Sequence, residues 1–167
     1  MNLSIYLFLA LSLAMILSTT LAVFYVIPIV KKKPLGIALI LLLWPHTLRF
    51  ISLSVYSAVE FGSMRASTDE LNQIVAGDTL SAILAFIAIL AIKFRKKWAI
   101  GFTWFAVIIG SVDFMISLPQ SMSGLPGNIS GFTWALFVFL IPPLIVSEVM
   151  LFWQLIYRKG EPLHSRK

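Results

Sequence analysis

Residues 41–53 read LLLWPHTLRFISL, an apolar run that carries Pro45, His46 and Arg49 in its interior. With its flanks it forms a stretch, residues 35–59, long enough to cross a bilayer core, for which roughly 20 apolar residues suffice. An arginine inside such a stretch is costly, about +2.5 to +3.5 kcal/mol at the helix centre. The residue therefore implies a partner elsewhere in the chain. How the rest of the sequence supplies one decides the fold.

The composition sets the class. Of 167 residues, 59% are apolar and 12% charged, and the mean hydropathy is +0.95. Soluble domains carry about 25% charged residues. Five apolar runs recur, approximately 3–30, 35–59, 72–92, 98–118 and 131–157. The expected fold class is therefore all-α: a polytopic integral membrane protein whose residues 1–167 make a single five-helix transmembrane bundle. There is no cysteine, which removes disulfides, thiol nucleophiles and Cys-ligated metals. The first run has no basic residue before it and continues to Val30, so it reads as a retained helix rather than a cleaved signal.

The net charge of +6 belongs to the breaks between runs. Lys and Arg number three at 31–33, four at 93–97 and four after Tyr157, against Arg65 alone in the other two breaks. Basic loops stay in the cytoplasm. The expected topology places the N-terminus outside and the C-terminus inside, in a bacterial cytoplasmic membrane. The lipid bilayer is the expected partner, with no role for nucleic acid.

Helices in lipid pack through small residues. The first run offers Ala10, Ala14, Ser18 and Ala22, a candidate contact with a second copy or a membrane partner. The third offers Asp78, Ser81, Ala85 and Ala88, and the fourth Ala99, Thr103, Ala106, Gly110 and Asp113. Both aspartates share the small face, so neither is expected to meet lipid. The second run carries a polar stripe instead: His46, Arg49, Ser52, Tyr56 and Glu60.

Depth follows from counting at 1.5 Å per residue. Arg49 lies 16 residues from Lys33, Asp78 15 from Lys93, and Asp113 16 from Lys97. Each is thus roughly 22–24 Å from the cytoplasmic side of a core about 30 Å thick. Pro142 and Pro143 fall at the same level and are expected to kink the fifth helix, as Pro45 is the second, because proline cannot donate to the helix ladder. Arg49 is expected between Asp78 and Asp113, with His46 one turn below. Glu148, 10 residues from Arg158, falls about 15 Å deep, near the midplane. It has no evident cationic partner at that level, and a path to the outer cluster would pass Trp44 and His46.

One arginine facing two aspartates leaves a net negative charge for a proton or cation to neutralise. This favours a small permease or channel-like protein for protons, cations or a small solute, with Tyr56, Glu60 and Glu148 as secondary candidates. The alternatives are an intramembrane lipid-modifying enzyme using His46 with Asp78 or Asp113, and a non-catalytic accessory subunit. His46 and two carboxylates suffice chemically for a metal, but no ligand spacing such as HExxH is present. No metal or other cofactor is assigned, no catalytic residue is named, and an enzyme is the less favoured class.

Overall fold

The computed structural model describes residues 3–54, 68–123 and 131–163. Among them all regular structure is helical. Five helices are long and apolar enough to cross a membrane. Helix α1 starts as Leu3–Leu21, passes through a π-helical turn at Ala22–Val26 and ends as Ile27–Lys31. The wider turn has a local cause. Pro28 has no N–H for the usual bond, and the Ile27 N–H reaches back five residues to the Ala22 carbonyl. Such a π-bulge absorbs the proline without breaking the rod.

Helix α2 spans Leu35–Thr47 and tightens into a 3-10 helix at Leu48–Leu53, where the sequence led us to expect one α-helix through residue 59. The change begins just after Pro45, and the Thr47 hydroxyl donates to the Trp44 carbonyl at 2.7 Å. In a 3-10 helix residues three apart eclipse. His46, Arg49 and Ser52, spaced three and three, are all buried on the inner side. Tyr56 and Glu60 lie outside the described residues.

Helices α3 (Thr68–Lys93), α4 (Ala99–Ser123) and α5 (Gly131–Tyr157) complete the bundle. The first two extend beyond the expected 72–92 and 98–118. Pro142 and Pro143 lie within one uninterrupted helix assignment, Gly131–Tyr157. Packing follows a row: α1 against α5, α5 against α2, α2 against α3, and α3 against α4, with α4 and α5 meeting sparsely. The small stripe of α1 is used inside the chain. Ala10 and Ala14 pack with Val138 and Ile141 of α5, and Ala22 joins the main core.

The outer surface is rich in large apolar side chains, while a few polar ones lie inside. Phe8, Leu13, Phe24, Met115 and Phe139 are exposed, whereas Arg49, Thr103 and Gln154 are almost fully enclosed. The half of the bundle nearer the α3–α4 turn is apolar and closed, with Leu39, Leu43, Ala88, Ile92, Leu151 and Leu155 in one core.

The basic ends are clasped together. Arg158 donates from Nη2 to the Lys33 carbonyl at 3.0 Å and from Nη1 to Gln154 Oε1 at 3.1 Å. Arg158 also holds Glu161 through Nε at 2.8 Å. Gly160, at φ +93, turns the tail back, a conformation glycine adopts without cost. The Gly36 N–H then donates to the Leu163 carbonyl at 2.9 Å, satisfying one of the free donors at the start of α2.

Candidate functional site

Four helices contribute to one polar network. From the 3-10 segment, Arg49 reaches across the bundle with 2% of its side chain exposed. Its Nε donates to Asp78 Oδ1 of α3 at 2.9 Å, and its Nη2 to Asp113 Oδ2 of α4 at 2.6 Å. Nη1 donates to the Gly110 carbonyl at 3.2 Å. The guanidinium also lies 5.1 Å from the Phe114 ring centre, a favourable cation–π distance. Each of the three guanidinium nitrogens therefore donates to an acceptor.

Two glycines make this approach possible. A methyl on Gly110 would stand 3.3 Å from Arg49 Nη1 and 3.6 Å from Glu148 Oε1. A methyl on Gly77 would overlap the Asp113 carboxylate. Gly110 belongs to the small face read from the sequence. Gly77 does not, although it lies four residues before Ser81 and hence on an adjoining line of the same helix.

Glu148 belongs to this network, contrary to its expected isolation near the midplane. Its Oε2 is 3.3 Å from His46 Nε2, and its Oε1 is 2.5 Å from Ser111 Oγ. These contacts bring Glu148 beside α2 and α4 despite the offset that residue counting gave it. His46 Nε2 is also 2.9 Å from Ser147 Oγ, which lies 2.9 Å from the Leu144 carbonyl. With the serine proton on Leu144, the Ser147 oxygen accepts from Nε2; with it on His46, Nε2 is the acceptor. Trp44, expected between Glu148 and the outer cluster, instead faces outward and is exposed.

Ser111 and Ser147 escaped the sequence reading, since single serines in a helix are usually satisfied by their own backbone. Ser111 is placed to do both. Its one proton serves either the Val107 carbonyl at 2.9 Å or Glu148. The contact with Glu148 is a hydrogen bond whether that carboxyl is protonated or not. Arg49, His46, Ser81, Gly110 and Glu148 surround a cavity of about 10 Å³. Ser81 Oγ is buried there without a hydrogen-bond partner among the described residues.

Three carboxyl groups thus meet one guanidinium and one imidazole. Among the described residues no three His, Asp or Glu side chains converge as a metal-ligating group; Arg49 separates Asp78 from Asp113. Residues 6–156 match a family model described as a domain of unknown function, DUF8737. The chain belongs to the DUF8737 family. No similarity to a curated protein or a solved structure is found. In this DUF8737 chain the matched region contains every residue of the network.

Proposed function

We propose that this protein spans a cytoplasmic membrane of bacterial type five times, N-terminus outside, and carries a proton or small cation by way of the Arg49 network. The basic breaks after α1, α3 and α5 support the orientation. The observation that carries the functional reading is an acidic excess: Asp78 and Asp113 meet Arg49, Glu148 meets His46, and Arg49 is the one permanent cation in this group. A cluster serving only to join helices is best balanced, since each uncompensated charge near the helix centre costs about 2.5–3.5 kcal/mol. An acidic excess is relieved by protons or a cation, which are taken up and released. Ser111, Glu148, His46 and Ser147 form a second run of donors and acceptors, which meets Arg49 across the small cavity.

The apolar core below the network argues for a carrier that changes shape rather than an open pore. The sparse contact between α4 and α5 is the place where the bundle opens with least loss of packing. The lipid-enzyme alternative is disfavoured by enclosure. His46 is 4% exposed and lines a cavity of about 10 Å³, too small to admit a lipid. The test is proton movement in proteoliposomes with an entrapped pH indicator under an imposed potassium diffusion potential, repeated with sodium and with amine gradients. Movement by the wild type that Asp113→Asn abolishes supports the reading. A wild type that moves nothing under any of these gradients refutes it.

A further inference from the structure

A groove of about 240 Å³ lies between α3 and α4, with Asp113 midway along its α4 wall. It lies on the opposite side of that carboxylate from Arg49. Oδ2 is held by the guanidinium, while Oδ1 lies where a side chain at position 77 would be. Gly77 therefore forms a bare floor, and one carboxylate serves two neighbours: Arg49 inside and the groove outside. The walls are apolar, made by Ile74, Ile109, Val112 and Ile116. Val112 and Ile116 are exposed on the bundle surface, so the groove opens sideways toward lipid. Gln73 and Ser117 line the end away from the α3–α4 turn, giving it a polar mouth.

We propose that this groove binds a small amphipathic monocation, a primary alkylammonium, with its head on Asp113 and its chain against the apolar walls. The inference names the substrate class of the carrier proposed above and rests on that reading for transport, though not for binding. Charge selects the head. Arg49 with Asp78 and Asp113 carries one carboxylate more than it has cations, and an ammonium at Asp113 balances the three. An anionic amphiphile would face uncompensated repulsion. Shape selects the body. The volume is below the roughly 300–1,000 Å³ of drug-sized sites, which suits a short chain. A phospholipid is a poor fit because its phosphate would follow the ammonium into an acidic site. Three donors on a primary ammonium suit a groove that offers a carboxylate oxygen beside the polar side chains of Gln73 and Ser117.

The experiment uses the full chain in phosphatidylcholine nanodiscs, titrated with hexylammonium, hexan-1-ol and hexanoate while thermal melting is followed. Hexylammonium should raise the melting temperature saturably, with the alcohol at least about tenfold weaker, as expected when one charged partner is removed. Asp113→Asn should remove the preference for the amine. Because that substitution also touches Arg49, Ile116→Trp is the second variant. It fills the groove from a position outside the ion pairs and should abolish amine binding while leaving basal melting near wild type. Equal binding of amine and alcohol, or wild-type amine binding by Ile116→Trp, overturns the proposal. Amine binding without transport in proteoliposomes retains the groove and removes the carrier; proton movement without amine binding does the reverse.

Discussion

Gly77 of α3 presents its bare Cα to the carboxylate of Asp113 on α4, at a point where any side chain would occupy the carboxylate's own space. The contact lets Asp113 lie between helices with one oxygen on Arg49. Gly77→Ala is therefore expected to displace Asp113 and destabilise the protein by about 1–3 kcal/mol, the usual cost of overpacking. Gly101 is the control, since a methyl there meets nothing within 4 Å. Gly101→Ala should be neutral or stabilise by up to about 1 kcal/mol through helix propensity. Thermal melting of the two variants side by side checks both; equal effects would mean that Gly77 has no special role.

Arg49 anchors two carboxylates, so removing it should be worse than removing it together with one of them. Arg49→Met is expected to cost about 3–5 kcal/mol, the penalty for leaving buried charge unpaired. Adding Asp113→Leu should recover part of the loss. A double variant less stable than Arg49→Met would contradict the pairing.

These two cases also indicate how far the sequence could be read. The small faces on α3 and α4 are legible because lipid provides no hydrophobic drive between helices, so close packing must come from Ser, Ala and Gly at regular spacing. Ser81, Ala85 and Ala88, like Ala99, Thr103, Ala106 and Gly110, are buried. Helix order is a different matter. Nothing in spacing says that α5 lies beside α2, and the pairing of His46 with Ser147 joins residues 101 positions apart. Glu148 accordingly looked partnerless. Counting along helix axes also assumes upright rods that share one reference level, and says nothing of the cross-helix contact with Ser111. The 3-10 segment was hidden for a local reason: Pro45 shows where the ladder is interrupted, but not whether the chain kinks or tightens.

The topology can be tested directly because the chain lacks cysteine. Ser121→Cys should react with an impermeant maleimide from outside intact cells. Lys96→Cys, in the basic turn after α3, should react only after permeabilisation. The opposite pattern would invert the orientation.

The clasp at the basic end should loosen in acid. Hydrogen bonds from Arg158 hold the exposed Glu161 carboxyl below its usual value of 4.5. A group whose value is lowered by folding contributes fully above its unfolded value, and the contribution is lost as pH falls through the lower folded one. Protection of the Gly36 amide, which donates to Leu163, should therefore fall below about pH 4.5 once intrinsic exchange is corrected for. Glu161→Gln should show the weaker protection at every pH. A wild-type amide whose protection is flat across this range would detach the tail from Glu161.

Helix α1 has α5 as its principal neighbour, yet the two lie at opposite ends of the chain. During synthesis α1 emerges first and its partner last. In the membrane arrangement proposed above, it then waits in the bilayer as a free span while α2, α3 and α4 follow. The broad apolar surface that leaves α1 so exposed in the finished bundle equips it for that interval, since it needs no neighbour to be stable in lipid. Assembly then closes from both termini at once: α5 joins α1 on one side and α2 on the other, and delivers Glu148 to a site whose remaining parts are already in the membrane.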